Sequence, residues 1–297
     1  MSDVEPDDGV APASDLESLS EGSFDLHGET VASSEPVPYL QAEEGVLSFA
    51  HKPIILETAW PLIVNGQHWL TLLCTPSQLE AFVLGFLYNE GIIQGLDDVR
   101  DLKIQETPEA LIEVTLRDPE IDLPRHHTLT SGCGGGITFV DIAARREPVR
   151  STRRIGTARL TALMRALIEG VAAEHRRIGG FHTSGLSDGQ RLLVVASDIG
   201  RHNTLDKLAG LCLLRGISTR DGILLTTGRI SSEMVGKAAR MSVPIIVTRS
   251  SPTSLAVELA RVWRITLVGY ARGRRLHIYT EWERIQGARD PASDLGV

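Results

Sequence analysis

Cysteine is scarce in this sequence, and its spacing excludes several kinds of site. Three cysteines occur among 297 residues, Cys74, Cys133 and Cys212. They form no Cys-x-x-Cys pair and no zinc-binding spacing, and their odd number argues against a disulfide framework. Chains without disulfides are typical of the cytosol, so we expect a cytoplasmic protein.

Long apolar runs, a signal peptide and several enzyme motifs are also missing. No apolar stretch reaches the ~20 residues that cross a bilayer, and the chain starts without the basic and apolar regions of a secretory leader. We therefore expect no membrane association. His-Glu-x-x-His, P-loop and Gly-x-Gly-x-x-Gly motifs do not occur, which leaves zinc proteases, NTPases and Rossmann dehydrogenases unsupported. Adjacent His126 and His127 would point to opposite faces of a strand, so no intrinsic metal is expected.

Basic residues are missing from positions 1–44, which hold 12 Asp and Glu and therefore a charge of −12. Because the whole chain sums to −8, the other residues carry +4. Residues 1–44 are rich in Ser, Asp, Glu and Pro, and we predict a disordered acidic tail there. The mildly basic remainder suits small anionic ligands, but its charge is too weak and dispersed to predict nucleic-acid binding.

Residues 45–148 have the pattern of a small α+β subdomain. Two β-rich runs flank Asn65-Gly66, which predicts a hairpin, since Asn-Gly accepts the positive φ values of a two-residue turn. Thr75 is predicted to cap a helix that ends at Gly91. Two more strands are expected before the segment that holds Cys133. We identify no catalytic grouping among the residues of this subdomain that precede that segment.

Residues 149–283 alternate between strand and helix patterns and predict an α/β domain, followed by a C-terminal tail at 284–297. The strands are expected at Leu192–Ala196, Ile223–Thr226, Pro244–Thr248, Arg264–Gly269 and Leu276–Thr280. Continuous apolar runs indicate strands buried on both faces, and helical crossovers imply parallel pairing. His182, which precedes the first of these strands, is a lone histidine that could equally be a core residue.

Polar turns follow four of these strands. Because ligands bind at the carboxyl ends of strands in open α/β sheets, the turns predict one phosphate-binding edge built from hydroxyls, amides and guanidiniums. The alternative is that Ser, Thr, Asp and Asn merely cap helices, but four successive polar turns favour a site. Its candidate residues are Asp198, Arg201, His202, Asn203, Gly228, Arg229, Ser231, Ser232, Ser251, Thr253, Tyr270, Ala271, Arg272, Gly273, Arg274 and Arg275.

The three cysteines differ in their surroundings. Cys212 lies on the apolar stripe of a predicted helix and Cys74 ends an apolar strand, so both are expected to be small core residues. Cys133 lies in Ser131-Gly132-Cys133-Gly134-Gly135-Gly136, where glycines leave a thiol accessible. As a thiolate it could attack a sulfur donor and hold a persulfide. The alternative is a tight turn with an incidental cysteine.

Several blocks, in one order over roughly residues 55–281, resemble the FdhD family of formate dehydrogenase accessory sulfurtransferases. The similar blocks are Cys74-Thr75-Pro76, Ser131-Gly132-Cys133-Gly134, Asp198-Ile199-Gly200-Arg201-His202-Asn203, Gly228-Arg229-Ile230-Ser231-Ser232-Glu233, Ser251-Pro252-Thr253-Ser254 and Gly269-Tyr270-Ala271-Arg272-Gly273. The resemblance implies a cytidine-deaminase-like C-terminal domain, without the deaminase cysteine pair that binds zinc.

The resemblance also implies a function. Such proteins take persulfide sulfur from a cysteine desulfurase and pass it to the molybdenum cofactor bis(molybdopterin guanine dinucleotide), a bound substrate that then enters formate dehydrogenase. Cys133 matches the family's persulfide cysteine, and Tyr270 to Arg275 matches the stretch assigned to cofactor binding. A homodimer is expected from the family alone.

One position departs from the family pattern. The loop commonly reads Cys-Gly-x-Cys-Gly, but Gly136 replaces the second cysteine here, so a relay between two loop thiols is not possible. Two alternatives to a single-cysteine sulfurtransferase stay open. One is a cofactor-binding chaperone that performs no sulfur chemistry. The other is a deaminase-like hydrolase, which the missing metal spacing opposes.

Overall fold

The computed structural model describes residues 33–107, 109–124, 128–129, 137–138 and 147–288. Within these ranges the strands are β1 Ser34–Glu43, β2 Val46–Ile55, β3 Thr58–Val64, β4 Gln67–Cys74, β5 Val99–Gln105, β6 Leu111–Leu116, β7 Thr128–Leu129, β8 Ile137–Thr138, β9 His182–Ser187, β10 Leu192–Asp198, β11 Ile223–Thr226, β12 Ile245–Thr248, β13 Thr266–Arg272 and β14 Arg275–Ile278. The helices are α1 Leu79–Asn89, α2 Thr157–Gly170, α3 Ala172–Arg177, α4 Arg201–Leu214, α5 Ser232–Arg240 and α6 Ser254–Val262, with 3-10 turns at Leu96–Asp98 and Trp282–Arg284.

The first two strands form a long exposed hairpin. They pair antiparallel along their full length around Glu44 and Gly45, whose φ angles of 49° and 86° form the turn. The prediction of disorder up to residue 44 is therefore wrong for residues 33–44. The composition predicts a solvated chain, but main-chain hydrogen bonds to β2 order the strand β1. Phe49 on this hairpin is 84% exposed.

The N-terminal sheet has the order β4-β3-β6-β5 and packs on α1. Asn65 and Gly66 take φ angles of 49° and 79°, which confirms the predicted hairpin. The predicted Thr75 cap is wrong. The helix begins at Leu79, after Gln78 in a left-handed conformation, because Thr75 is used in buried contacts with the C-terminal domain.

The C-terminal sheet has the order β10-β9-β11-β12-β13-β14 and confirms the α/β class. Strand β9, which was not predicted, lies between β10 and β11 and is antiparallel to both. The expectation of parallel neighbours is therefore wrong for β10 and holds for β11, β12 and β13. Because β9 is antiparallel to both β10 and β11, these two strands run in the same direction. The carboxyl ends of β10, β11, β12 and β13 therefore lie at one edge of the sheet.

Helices cover both faces of this sheet. Alternate strand residues point to opposite faces, so Leu224 packs with the cluster of α4, α5 and α6, whereas Leu225 packs with α2. Met164 of α2 lies in the second cluster and is a core residue. No helix in the described ranges is both long and apolar enough to cross a membrane.

Helices α1 and α4 pack so closely that their backbones touch. A Cβ added at Gly85 would lie 1.8 Å from the carbonyl oxygen of Asp206. A Cβ added at Gly210 would lie 1.8 Å from the carbonyl oxygen of Ala81. Only glycine allows this approach, which joins the N-terminal sheet and its helix to the C-terminal layer.

Candidate functional site

Polar residues end the strands at the shared carboxyl edge of the C-terminal sheet. The register pairs Asp198 of β10 with His182 of β9, and it pairs Thr226 of β11 with Ser184 of β9 and Thr248 of β12. The hydroxyl of Ser184 lies 3.0 Å from that of Thr226. The predicted turns therefore do lie on one edge, and the unpredicted β9 adds His182 to it.

Asp198 holds the N-terminus of α4 rather than facing solvent. It is fully buried and forms an ion pair with Lys207, whose Nζ lies 2.7 Å from Oδ2. Its carboxylate also accepts hydrogen bonds from the backbone N–H of Gly200 at 2.8 Å, Asn203 Nδ2 at 2.9 Å and the backbone N–H of Thr75 at 3.1 Å. The structure thus makes Asp198 a residue that positions its neighbours Arg201 to Asn203.

The N-terminal subdomain contributes to this anchor, although its sequence indicated no functional grouping. Lys207 Nζ donates to the carbonyl oxygen of Thr75 at 3.0 Å and to Ser77 Oγ at 3.2 Å. The backbone N–H of Ile199 donates to Thr75 Oγ1 at 3.2 Å. These partners lie more than 100 residues apart in the chain, so no local sequence signal could identify Thr75 and Ser77.

His202 is a neutral, buried residue between two polar partners. Its Nε2 lies 3.0 Å from Ser231 Oγ and 3.4 Å from Glu233 Oε2. Burial, together with the nearby cations Lys237 and Arg201, lowers the pKa of His202 to about 2. At ordinary pH the ring therefore holds the turn after β11 in place, and it is not poised to exchange a proton with a ligand.

Lys237 forms the centre of a buried ion network behind His202. Its Nζ lies 2.6 Å from Asp206 Oδ2, 3.4 Å from Glu233 Oε1 and 4.0 Å from Glu90 Oε1. Burial opposes the charge of Lys237, but these three carboxylates outweigh burial and raise its pKa. Asn89 Nδ2 completes the network with a 2.8 Å hydrogen bond to Asp206. Buried pairs of this kind fix the relative position of the helices that carry them.

Two predicted site residues are helix caps, as the alternative interpretation suggested. Ser231 Oγ accepts a hydrogen bond from the backbone N–H of Met234 at 3.4 Å. Thr253 Oγ1 accepts one from Ala256 at 3.3 Å. Ser251 connects the two turns through its carbonyl oxygen, which accepts from the backbone N–H of Ile230 at 3.1 Å. These hydroxyls shape the edge by holding α5 and α6.

Gly228, which has no side chain, allows Arg201 to pack directly against the turn after β11. A Cβ at Gly228 would lie 2.9 Å from Arg201 Cβ and 3.5 Å from His182 Nδ1, so these three residues are neighbours. Burial lowers the pKa of His182, and the charge of Arg201 lowers it further. Arg229 is exposed beside them, and Ser232 is half-buried. This part of the edge therefore offers one exposed and one buried guanidinium.

A cavity of about 180 Å³ lies where α2 meets the ends of β12 and β13. Three arginines from separate elements line it, namely Arg165 of α2, Arg249 after β12 and Arg272 of β13. Arg272 Nε donates to the carbonyl oxygen of Arg249 at 2.9 Å, which fixes one guanidinium relative to the other strand end. The remaining lining residues are Thr161, Met164, Ile168, Glu169, Ala271 and Gly273.

The predicted stretch from Tyr270 to Arg275 forms a bulge and a tight turn beside this cavity. Tyr270 has a left-handed φ of 51°, its N–H donates to the carbonyl oxygen of Ser250 at 2.8 Å, and its ring contacts that of His277. This bulge buries Ala271 and leaves Arg272, Arg274 and Arg275 exposed. Guanidiniums on rigid elements are the groups that bind phosphate in a defined orientation.

Arg165 and Thr161 belong to the cavity but were not predicted. They lie four residues apart and therefore share one face of α2. In the sequence they have the pattern of an ordinary exposed helix surface. Their position becomes informative only when α2 is known to pack over the carboxyl edge.

The predicted reactive residue, Cys133, lies outside the described residues. Cys74 and Cys212 are buried, as predicted. Burial raises the pKa of each of these two thiols to about 12, so both are unreactive at neutral pH. Among the residues that the structure describes, no group of three or more His, Cys, Asp or Glu side chains could hold a metal ion.

Comparison with known proteins gives consistent matches over most of the chain. The model of the FdhD/NarQ family matches residues 55–286. Sulfur carrier protein FdhD of Bacillus subtilis (strain 168) is 36% identical over 250 residues, which cover 82% of this chain and 94% of that protein. The protein of the same name from Staphylococcus aureus (strain MRSA252) is 35% identical over 253 residues, with 84% and 95% covered.

A solved structure is similar as well. The crystal structure of a protein from Desulfotalea psychrophila, described as a formate dehydrogenase accessory protein, superposes with a TM-score of 0.68 at 27% sequence identity. The match covers 85% of this chain and 99% of that chain.

Proposed function

The chain belongs to the FdhD/NarQ family, and on that premise we propose that it is a sulfur carrier that serves formate dehydrogenase. In this proposal Cys133 accepts persulfide sulfur from a cysteine desulfurase. The carboxyl edge of the C-terminal sheet binds bis(molybdopterin guanine dinucleotide) as the substrate that receives the sulfur. The relatives named sulfur carrier protein FdhD support the general role.

The observation that carries the cofactor half of the proposal is the cavity lined by Arg165, Arg249 and Arg272. The guanine dinucleotide ends of the cofactor carry phosphates. Three guanidiniums from three parts of the chain, against the single carboxylate of Glu169, give the cavity the charge that binds such groups. At about 180 Å³ the cavity is smaller than a typical ligand pocket of roughly 300–1,000 Å³. It therefore suits one phosphate-bearing end, with the rest of the cofactor along the edge.

The sulfur half of the proposal depends on the contrast among the cysteines. Cys74 and Cys212 are protonated and buried, which leaves Cys133 as the candidate thiolate. Its Sγ would attack the terminal sulfur of the desulfurase persulfide. A new S–S bond forms on Cys133, the donor S–S bond breaks, and the desulfurase cysteine leaves as a thiolate. No net oxidation occurs in this step.

Delivery of the sulfur needs a second thiol from another molecule, because Gly136 stands where the family has a loop cysteine. That thiol would attack Sγ of Cys133, form a disulfide with it and supply the two electrons with which the terminal sulfur leaves as sulfide. The proposal therefore includes an external thiol reductant in each cycle.

The test is transfer of labelled sulfur. Wild type, Cys133→Ala and Cys212→Ala are incubated with a cysteine desulfurase and ³⁵S-cysteine, and protein-bound label is measured before and after reduction. We expect reducible label on wild type and on Cys212→Ala, and none on Cys133→Ala. Label on Cys133→Ala equal to that on wild type would refute the carrier role.

The same variants distinguish the sulfur carrier from the alternative function, a cofactor chaperone without sulfur chemistry. Gly136 favours that alternative because it removes the second loop cysteine. If Cys133→Ala still matures formate dehydrogenase in a cell that lacks the native protein, the chaperone interpretation replaces the carrier one.

The cofactor half is tested by titrating GDP, a fragment of the cofactor. Arg165→Gln should weaken GDP binding about tenfold or more, as expected for one charge-assisted contact, whereas exposed Arg261→Gln on α6 should not.

A further inference from the structure

A second arginine-lined cavity, of about 230 Å³, lies at the opposite edge of the C-terminal sheet. Arg264, which lines it, comes just before β13, whose far end carries Arg272 of the first cavity. At about 3.3 Å per residue the strand separates the two edges by roughly 20 Å, so the two cavities are distinct. The residues lining the second one are Ser151, Thr152, Arg153, Arg154, Arg264, Glu283 and Arg284.

The side chains that line this second cavity carry more positive than negative charge. Four guanidiniums and one carboxylate line it. The carboxylates of Glu281 and Glu283 are already paired with Arg264, at 3.1 Å and 3.2 Å. When Glu281 and Asp221, which pair with Arg264 and Ser151 of the lining, are counted as well, the net charge is +1. The proposed sulfur chemistry uses neither Arg153 nor Arg154.

Arg284 is a buried cation whose ion pair with Glu281 is long and is shared with Arg264. It is 5% exposed, and its Nη1 and Nη2 donate to the carbonyl oxygens of Arg264 at 2.7 Å and Val149 at 3.3 Å. Its nearest carboxylate oxygen, on Glu281, is 3.9 Å away, and its Nε has no hydrogen-bond partner in the described part of the chain. Burial accordingly lowers its pKa. An anion in the adjacent cavity would offset the cost of this buried charge.

The loop that forms the other wall is rigidly held. Arg153 donates from Nε to the carbonyl oxygen of Asp221 and from Nη1 to that of Asp188, both at 2.8 Å. The backbone N–H of Arg153 donates to Ser151 Oγ, whose own proton goes to the carboxylate of Asp221. Thr152 and Arg154, which flank Arg153, are exposed and line the same cavity.

From this arrangement we propose that the second cavity binds an oxyanion of the phosphate class. Arg154 and Thr152 would contact it directly, and Arg153 and Arg284 would stabilise its charge from behind. A volume of about 230 Å³ is below the roughly 300–1,000 Å³ of pockets for whole small molecules. The ligand is therefore a free phosphate ion, or the phosphate of a larger molecule whose remainder stays outside.

The test measures phosphate binding in an Arg165→Gln background, which weakens the cavity at the other edge. Inorganic phosphate is titrated calorimetrically at constant ionic strength set with chloride, and Arg154→Gln is compared with Arg261→Gln, an exposed arginine elsewhere. We expect Arg154→Gln to weaken phosphate binding about tenfold, the effect of losing one charge-assisted contact. Arg261→Gln should bind like the background.

Two results would overturn the proposal. One is the absence of phosphate binding in the background at millimolar concentrations, and the other is equal affinity of Arg154→Gln and the background. Circular dichroism checks that each variant is folded, and Thr152→Val gives an independent variant that should also bind more weakly. Glycerol 3-phosphate forms the second arm. If glycerol 3-phosphate binds with an affinity like that of phosphate, the ligands of the cavity are phosphate esters. If glycerol 3-phosphate does not bind, the ligand is the free phosphate ion.

Discussion

Replacing Gly85 by alanine tests the contact between α1 and α4 on which the arrangement of the site depends. The new Cβ would lie 1.8 Å from the carbonyl oxygen of Asp206. To reach an ordinary contact of ~3.5 Å the two helices must separate by about 1.7 Å. The three nearest atoms, the carbonyl carbon and oxygen of Asp206 and the nitrogen of Gly210, all belong to the backbone, so no side chain can rotate to make room.

The expected cost follows from two opposing effects. Overpacking a core costs about 1–3 kcal/mol, and a backbone clash that separates two helices belongs at the upper end. Separation also stretches the 2.8 Å hydrogen bond from Asn89 to Asp206 in the buried ion network. Alanine in a helix interior returns about 1 kcal/mol relative to glycine. We expect Gly85→Ala to lose about 2 kcal/mol or more of the free energy of unfolding.

Gly236→Ala is the matched control, because Gly236 lies inside α5 and a Cβ there meets no atom within 4 Å. This variant should gain up to about 1 kcal/mol from helix propensity. Urea unfolding followed by far-UV circular dichroism gives the midpoint and slope for both variants and wild type. A Gly85→Ala midpoint equal to or above that of Gly236→Ala would refute the description of this helix contact.

Three further predictions concern buried ionisable groups. Lys237→Met leaves three carboxylates buried without their cation and should cost about 3–5 kcal/mol in urea unfolding. Loss of the exposed Arg177 ion pair should barely move the unfolding midpoint. Cys74 and Cys212, with pKa values of about 12, should resist iodoacetamide at pH 8 until urea unfolds the chain, and rapid native labelling seen by peptide mass spectrometry would contradict their burial. His202 is protonated near its ordinary pKa of 6.5 in the unfolded chain but only near 2 in the folded chain. The unfolded chain therefore binds one more proton below pH 6.5, and the free energy of unfolding falls as the pH drops. This group contributes at most ~1.4 kcal/mol per pH unit to that fall. His202→Gln should flatten that fall between pH 7 and pH 5, and equal slopes would disprove the assignment.

Features that depend on neighbouring residues could be predicted from the sequence. The Asn65-Gly66 hairpin follows from the φ angles that its two turn residues accept. The strands β11 to β13 follow from short, continuous apolar runs separated by helices. The polar edge follows from chain direction, because strands joined by helical crossovers end on the same side. Cys74 and Cys212 could be assigned to the core from their apolar neighbours.

Features that depend on distant contacts could not be predicted in the same way. Strand β9 is buried although it contains Thr183 and Ser184, because partners on other elements satisfy their hydroxyls, at 2.9 Å from Ser197 and 2.7 Å from Thr204. Thr75 has a good local capping pattern, but its bonds to the C-terminal domain prevail over it. Arg165 enters the cavity only through the packing of α2 on the sheet. In each case the deciding partner is remote in the chain.

The bonds between Thr75 and Asp198 also have a consequence for synthesis on the ribosome. Their sequence separation is 123 residues, so at roughly 5–20 residues per second the first partner waits about 6–25 s for the second. During that time the face of α1 that carries Ala81 and Gly85 lacks the helix that packs on it. Early chains are therefore expected to occupy chaperones that bind exposed apolar segments, and slower translation before residue 214, the end of α4, should lower the yield of folded protein.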